Sequence, residues 1–161
     1  MGDPLQYWLM KSEPSVYSID DLQRDGTAEW EGVRNFQARN HMRAMRVGDL
    51  AFFYHSNATP PGIAGLMRIC REAYPDDTQF DRRSKYFDRR SRSSKPAWDR
   101  VDVAFAARFD VLLPLHLLRA DPALQGMLVL KRGMRLSVQP VSEPHFRHIL
   151  ELAGTRPAQV Q

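Results

Sequence analysis

The segment from Trp30 to Arg43 combines one indole ring with a high density of hydrogen-bond donors. Its sequence is WEGVRNFQARNHMR, and Arg34, Asn35 and Arg39 follow closely behind the tryptophan. An indole can stack on a nucleobase, and guanidinium and amide groups bind phosphate oxygens or base edges. A core anchor is the alternative role for Trp30, and a solvated helix face is the alternative for the cations. Arginines at the start of a predicted helix oppose the helix dipole but suit an anion, which favours a base-binding wall with a phosphate clamp.

Positive charge is concentrated in residues 82–100. The chain has 161 residues, with 23 Lys and Arg against 19 Asp and Glu, for a net charge of +4. Residues 82–100 hold eight of the basic residues and two of the acidic ones, which leaves 15 basic and 17 acidic residues elsewhere. Tyr86, Phe87 and Trp98 are interleaved with these cations, as in surfaces that bind phosphate and stack bases. We expect Trp98 to pack and the arginines to contact phosphate.

Two further polar clusters lie at the ends of predicted strands. Residues 11–13 (KSE) either form an ordinary turn or present a hydroxyl and a carboxylate to the exocyclic amine of a base. Residues 54–56 (YHS) end an apolar strand, and adjacent strand residues point to opposite faces, so His55 and Ser56 do not form a nucleophile–base pair. We expect His55 to be partly buried and satisfied, with a polar role in a pocket as the alternative.

Other chemistries have little support in the sequence. Glu143, His145 and His148 share one predicted helix, but no cysteine or second cluster accompanies them, so we expect no metal and no cofactor. Cys70 ends the apolar run GIAGLMRIC and is expected to be a small core residue. No signal-peptide pattern and no membrane-length apolar run is present, which predicts a cytoplasmic protein, or a nuclear one in a eukaryote.

The elements that must position these residues are strands with short helices between them. Predicted strands cover residues 5–10, 49–56, 62–70, 99–113 and 135–141, and predicted helices cover residues 19–25, 35–46, 115–127 and 143–153. On the fourth predicted strand, the odd-numbered residues from Val101 to Val111 are all apolar and share one parity. Arg135, Ser137 and Gln139 share a parity that faces either a groove or solvent. We expect an α+β fold, a curled mixed sheet or small barrel with helices outside.

Several motifs, in order along the chain, resemble the EVE domain family. They are YWLMKSEP, YSIDDL, WEGVRNFQARN, GDLAFFYHSN, PGIAG, YPDDTQFD, YFD, PAWDRVDV and RLSVQPV, and they cover roughly Tyr7 to Ala153. The resemblance implies a PUA-like small mixed β-barrel with flanking helices, related to YTH domains. It also implies a single domain over residues 5–153, with residues 154–161 as a flexible tail. One departure is the segment YFDRRSRSSKP, which carries arginines where bacterial members often have Tyr-Tyr-Asp-Pro-Lys-Ser.

The resemblance further implies a non-catalytic reader that holds a modified, flipped, cytosine-type base in a pocket. The predicted base-pocket residues are Lys11, Ser12, Glu13, Trp30, Val33, Asn35, Tyr54, His55 and Ser56. The predicted phosphate contacts are Arg34, Arg39, Arg82, Arg83, Arg89, Arg90, Arg92 and Arg135. The expected partner is DNA with modified bases or RNA, bound by a monomer without metal or membrane. The alternatives are a general RNA-binding module, and an enzyme that uses Glu13 or His55 for acid–base catalysis on a modified base.

Overall fold

The computed structural model describes residues 4–155, which form one mixed sheet with helices on both faces. The six strands are β1 (Tyr7–Ser12), β2 (Thr27–Trp30), β3 (Leu50–His55), β4 (Gly62–Pro75), β5 (Asp99–Pro114) and β6 (Val138–Val141). The four α-helices are α1 (Ile19–Asp25), α2 (Phe36–Ala44), α3 (Leu115–Ala120) and α4 (Glu143–Leu152). Three 3-10 turns span Asp77–Phe80, Pro122–Leu124 and Leu128–Leu130. The predicted tail, residues 154–161, lies outside the described residues from position 156 onward.

The sheet is mixed, with the strand order β2-β5-β4-β3-β1-β6. β1 and β3 pair in parallel, and the other neighbouring strands pair antiparallel. The predicted α+β class is therefore confirmed. Within residues 4–155, the edge strands β2 and β6 are not hydrogen-bonded to each other, so the barrel is not closed by a strand pair.

Side chains from all six strands meet in one apolar cluster, which shows how strongly the sheet curls. This inner core contains Trp8, Met10, Trp30, Ala51, Phe53, Ala64, Met67, Ile69, Val101, Val103 and Val138, with Ile19 and Leu22 of α1 and Ala38 and Met42 of α2. Trp30 on one edge strand and Val138 on the other belong to the same cluster, so the two edges of the sheet approach each other. The sheet thus forms an open barrel, with α1 and α2 packed against its inner core.

A second apolar cluster, the outer core, covers the opposite face of the sheet. It packs α3, α4 and the 3-10 turns against the strands through Leu9, Phe52, Tyr54, Ile63, Leu66, Phe109, Leu118, Leu124, Met127, Val129, Val141, Phe146, Ile149 and Leu150. β3 shows the alternation directly, because Ala51 and Phe53 face the inner core whereas Phe52 and Tyr54 face the outer core. β3 is therefore buried on both faces.

Capping side chains fix where the first two helices begin. The Ser18 hydroxyl accepts from the Asp21 backbone N–H at 3.1 Å, and the Asp21 carboxylate accepts from the Ser18 N–H at 2.8 Å. The Asn35 side-chain oxygen accepts from the Ala38 N–H at 2.9 Å, which makes Asn35 the N-cap of α2. The predicted helix 35–46 is correctly located, but it ends earlier because Met45 adopts an extended backbone.

The structure corrects several sequence-based expectations. Cys70 is exposed, since the apolar character of β4 ends with Ile69. The single parity expected of β5 fails before its end, because bulges shift the register between β4 and β5: Val103 faces the inner core, Phe109 the outer core, and Val111 is 74% exposed. The predicted strand 135–141 contains only β6, and the predicted helix 115–127 divides at Asp121, whose extended backbone precedes a proline. Within residues 4–155, no helix is long and apolar enough to cross a membrane.

The buried Asp49 carboxylate joins the start of β3 to β1 and to the end of α2. It accepts from the Trp8 indole N–H at 3.0 Å, from the Gln6 N–H at 3.1 Å and from the Arg46 N–H at 3.0 Å. The Trp8 indole N–H would otherwise lie in the inner core without a partner. We therefore infer that Asp49 fixes the angle at which α2 meets the sheet.

We predict that Asp49→Ala lowers the free energy of unfolding by about 3 kcal/mol, because it leaves the buried Trp8 indole N–H unsatisfied and removes two further backbone hydrogen bonds. Urea unfolding, followed by far-ultraviolet circular dichroism, measures the change. Asp110→Ala, at an exposed position of β5, is the matched control and should change stability by less than about 0.5 kcal/mol. Equal stability of the two variants would contradict the assigned role of Asp49.

Candidate functional site

An open groove of about 1370 Å³ lies where the two edges of the sheet approach each other. One wall is β2 and the residues that follow it, 27–34, and the facing wall is formed by residues 134–137, which lead into β6. The ends of β1 and β3 supply residues 11–13 and 56–57, and residues 85–86 close one side. The groove is therefore a consequence of the unclosed barrel.

Most of the predicted base-pocket residues line this groove. They are Lys11, Ser12, Glu13, Trp30, Val33 and Ser56. Arg135 and Ser137 also line the groove, which is one of the two alternatives predicted for their face of the strand. Gln139, the third residue of that face, is buried, and its side chain donates to the Leu136 carbonyl at 2.8 Å. Four distant segments of the sequence thus converge on one concave surface, which is the usual form of a ligand site.

The structure does not bring three predicted residues into the groove. Asn35 is exposed, and its side-chain oxygen caps α2. Tyr54 points to the outer core, on the opposite face of the sheet. The His55 imidazole Nε2 accepts from the Ile19 N–H at 3.1 Å, and burial lowers the pKa of His55. The structure therefore places Asn35, Tyr54 and His55 outside the lining of the groove, and the expectation that His55 is satisfied is confirmed.

Trp30 is both a core residue and part of the groove wall. It is 8% exposed, belongs to the inner core and packs edge-on against Phe53 with ring centroids 5.3 Å apart. Its remaining surface lines the groove. The two roles that the sequence left open for Trp30 are thus compatible, because packing on Phe53 holds the indole in a fixed orientation toward the groove.

Tyr86 is a second aromatic wall, and sequence reasoning did not assign it to the pocket. Its ring lies against the backbone of Gly32, where a Cβ atom would come within 2.6 Å of the ring carbons. Gly32 also has φ +82, a left-handed conformation that favours glycine. The glycine of the WEGVR motif was the available signal, since such a residue allows close approach of another group.

A buried ion pair locks this wall in place. The Asp76 carboxylate is fully buried and accepts from the Gly32 N–H at 2.8 Å, from Arg34 at 3.1 Å and from the backbone and hydroxyl of Thr78. Burial alone would raise the pKa of Asp76. The hydrogen bonds from Thr78, Gly32 and Arg34 outweigh burial and hold the pKa below its usual range.

The Arg34 guanidinium makes five hydrogen bonds within the protein. It donates twice to the Tyr86 carbonyl and once each to the Val33 carbonyl, the Asp76 carboxylate and the Thr78 hydroxyl. A guanidinium has five N–H donors, so none is left for a phosphate. The predicted role of Arg34 as a phosphate clamp is therefore wrong, because Arg34 instead ties the groove wall to residues 76–86.

Residues 81–98 are anchored by one buried glutamine. The Gln79 side chain donates to the carbonyls of Asp76 at 2.6 Å and Trp98 at 2.8 Å, and it accepts from the N–H groups of Ala97 and Trp98 at 3.1 Å. Trp98 is buried, as expected, and its indole N–H donates to Asp88 at 2.8 Å. Residues 81–98 therefore form a loop whose two ends meet at Gln79.

The arginines of this loop that were predicted to contact phosphate are exposed to solvent. Arg82, Arg83, Arg89, Arg90 and Arg92 are all exposed, and we call residues 81–95 the arginine segment. On α2 the cations are less free, because Arg39 donates to the Ala97 carbonyl at 2.8 Å and Arg43 pairs with Asp99. The pair of Arg43 and Asp99 joins α2 to the start of β5.

The groove itself is lined by more carboxylates than cations. Its acidic residues are Glu13, Asp25, Glu29, Glu31 and Asp102, and its basic residues are Lys11, Arg34, Lys85 and Arg135. Burial raises the pKa of Glu31, and burial lowers the pKa of Lys11, whose ammonium donates to the Met134 carbonyl at 3.0 Å. Such a lining suits an uncharged ligand with amine donors better than it suits a phosphate group.

The phenol of Tyr17 is a fixed donor on the groove wall. Its hydroxyl donates to the Asp25 carboxylate at 2.8 Å, and burial together with this carboxylate raises the pKa of Tyr17 to about 12. Tyr17 therefore stays neutral across the physiological range. Its assignment to the groove comes from the structure, because the YSIDDL motif gave no separate signal for its role.

Within residues 4–155, three carboxylates come close enough to share a metal ion. They are Glu31, Asp76 and Asp77. The Arg100 guanidinium lies 2.7 Å from Asp77 and 3.3 Å from Glu31, and Arg34 pairs with Asp76. Because arginines already compensate these charges, the cluster is an ion-pair network of the groove wall.

Known proteins resemble this chain both in sequence and in structure. Residues 6–152 match the sequence model of the EVE domain. Mouse Thymocyte nuclear protein 1 is 46% identical over an alignment that covers 94% of this chain and 75% of that protein. A crystal structure of human THYN1 protein in complex with 5-methylcytosine containing DNA is 42% identical, with a TM-score of 0.87 over 94% of this chain and 99% of that chain.

A more distant likeness concerns the fold alone. The YTH domain of the Zygosaccharomyces rouxii MRB1 protein, solved in complex with N6-methyladenosine RNA, has a TM-score of 0.52 at 12% identity, over 94% of this chain and 88% of that chain. The expected PUA-like fold related to YTH domains is thereby confirmed.

We predict that Arg34→Lys lowers the free energy of unfolding by about 3 kcal/mol. A lysine cannot make the five hydrogen bonds of the guanidinium, and the buried Asp76 carboxylate loses its planar partner. Urea unfolding at neutral pH measures the loss, and hydrogen exchange should show faster exchange in residues 85–88. Arg82→Lys, at an exposed position, is the control and should leave both unchanged.

The same pair has a defined pH dependence. The pKa of Asp76 is lower in the folded protein than the unfolded value of about 3.9, so its stabilisation is present above that pH and is lost as the pH falls through the folded value. The stability difference between the wild-type protein and Asp76→Asn should therefore be constant above about pH 5 and shrink below about pH 4. A difference that grows on acidification would contradict this assignment.

Proposed function

The chain belongs to the EVE domain family, and on that premise we propose that it is a non-catalytic reader of a modified base in nucleic acid. The base is flipped into the groove, is of the cytosine type, and is held between aromatic walls and carboxylate acceptors. Exposed arginines outside the groove contact phosphate. The binding unit is a single domain over residues 5–153, and its localisation is nuclear if the source is a eukaryote.

The observation that carries this proposal is the division of charge between the groove and the arginine segment. A flipped base is uncharged and offers amine donors and a flat face, which matches the Trp30 and Tyr86 walls and the carboxylates of the groove. Phosphates need free cations, which lie on the arginine segment. A relative that is 42% identical has been crystallised with 5-methylcytosine containing DNA, which supports the same ligand class here.

Glu13 is the best candidate for reading the exocyclic amine. It is exposed at the end of β1, lines the groove, and its backbone carbonyl is occupied by the N–H groups of Val16 and Tyr17. These bonds fix the turn, so the carboxylate is positioned without being consumed. The neighbouring Ser12 hydroxyl already donates to the Tyr17 carbonyl at 2.6 Å, which leaves its lone pairs as further acceptors.

A non-catalytic role is favoured by the state of the proposed acid–base groups. The His55 imidazole already accepts from Ile19, and burial lowers its pKa, so it is a neutral structural acceptor. Ser56 belongs to the groove, but His55 does not. These contacts support binding over proton transfer for the base in the groove.

We predict that the protein binds a duplex with one 5-methylcytosine about tenfold more tightly than the unmodified duplex, since an added methyl in an apolar site is worth roughly that factor. Fluorescence anisotropy at fixed salt measures the ratio. Glu13→Gln should weaken binding of the modified duplex about tenfold, because it removes a charged acceptor, and Glu151→Gln on α4 is the control.

Three outcomes would count against this proposal. Equal affinity for a panel of modified cytosines and adenines and for their unmodified forms would contradict a base reader. Equal binding of unmodified RNA of matched sequence would favour the general RNA-binding module. A base product that accumulates on long incubation, and is lost in Glu13→Gln, would show an enzyme.

We also predict that the arginine segment determines the salt dependence of binding. Each change of Arg82, Arg83, Arg89, Arg90 or Arg92 to Ala that removes a phosphate contact should reduce the slope of log affinity against log salt by about 1. The ratio between modified and unmodified duplex should stay unchanged. Arg147→Ala, on α4 over the outer core, is the control, and an equal effect there would contradict a localised phosphate contact.

A further inference from the structure

Three aromatic rings and three cations form one continuous stack beside the groove. We call this stack the ladder, and its members are Arg39, Phe36, Trp98, Arg34, Tyr86 and Lys85. The Arg39 guanidinium carbon lies 4.8 Å from the Phe36 ring centroid, and the Phe36 and Trp98 rings stack with centroids 4.6 Å apart at 22°. The Arg34 guanidinium carbon then lies 5.6 Å from Trp98 and 5.7 Å from Tyr86.

The inner part of the ladder is fixed, and its other end is open to solvent. Tyr86 and Arg34 line the groove and are locked by Gly32 and Asp76, and Trp98 is buried. Phe36, however, is 58% exposed. A phenyl ring held on a buried tryptophan, two stacked layers from the groove wall, is a rigid apolar surface. No contact on its exposed side within residues 4–155 accounts for it.

The charge around the exposed ring is positive. Arg39 covers part of Phe36, and the indole N–H of Trp98 is bonded to Asp88, whose carboxylate also accepts from the Arg90 N–H at 2.9 Å. Arg90, which is exposed, therefore lies beside the tryptophan that supports Phe36. An aromatic ring flanked by guanidinium groups suits a ligand that is flat and also carries negative charge nearby.

We infer that the exposed Phe36–Arg39 pair is a second nucleobase contact, which stacks on a base next to the one held in the groove. This inference rests on the proposed function and deepens it, because flipping one base unstacks its neighbours and exposes their faces. The ladder connects the two contacts mechanically, since Arg34 and Tyr86 belong both to the groove wall and to the stack that supports Phe36. The phosphate between the two bases would then face the arginine segment.

The test compares Phe36→Ala and Phe36→Leu with Leu117→Ala, which removes a side chain of the same exposure on α3. Binding is measured by anisotropy on a 5-methylcytosine duplex and on its unmodified form. Both Phe36 variants should bind each duplex about tenfold more weakly, while the ratio between the duplexes stays at its wild-type value. With 2-aminopurine placed beside the 5-methylcytosine, wild-type protein should quench its fluorescence and the variants should not. If Phe36→Ala unfolds at a lower temperature than the wild-type protein, the binding of Phe36→Leu is the deciding result, because leucine keeps an apolar contact on Trp98.

The outcomes separate this inference from the proposed function. Wild-type affinity of both Phe36 variants would overturn the second contact, and the ladder would then serve only to pack residues 81–98. An equal loss of binding to heparin would also overturn it, since heparin has no bases. Weaker binding by the Phe36 variants, combined with no preference of the wild-type protein for 5-methylcytosine, would support the stacking contact and contradict the base-reading groove.

Discussion

The buried Asp76 carboxylate is the interaction on which the geometry of the site depends. It lies at the junction between β4 and residues 77–98, and it holds the Gly32 backbone and the Arg34 guanidinium at the same time. The same Arg34 guanidinium donates to the Tyr86 carbonyl, and the backbone carbonyl of Asp76 accepts from the Gln79 side chain. A charge in the interior is costly unless it is paired and hydrogen-bonded, and the Asp76 carboxylate is both. These contacts hold the groove wall against residues 76–86.

The groove owes its position to the way in which the sheet fails to close. The inner core draws the edge strands β2 and β6 together without pairing them, and the space between them remains open. Carboxylates and aromatic rings line this space. Arg34 and Arg100 are paired with carboxylates, and the groove sets its other cations, Lys11, Lys85 and Arg135, among five carboxylates. A base and its phosphates therefore meet chemically different surfaces of one domain.

The sequence predicted the elements well and the site in part, for physical reasons that differ between residues. Strong apolar patterns located β3 to β5, and KSE with Trp30 converged on the groove as expected. Register bulges moved Val111 to solvent, and parity along β3 placed Tyr54 on the outer core. The role of Arg34 depended on Asp76, 42 residues away, so composition alone could not distinguish a phosphate contact from a structural fork. Pairings across that distance are set by the fold and leave no local signal.

The central claim is that the groove, and not the arginine segment, holds the modified base. Nuclear Overhauser contacts from the methyl protons of a 5-methylcytosine oligonucleotide to the isotope-labelled protein test it most directly. The account predicts contacts between this methyl group and the Trp30 indole, with shift changes along residues 11–13 and 85–86. Methyl contacts confined to Arg82, Arg83, Arg89, Arg90 and Arg92, with the Trp30 resonances unmoved, would contradict it.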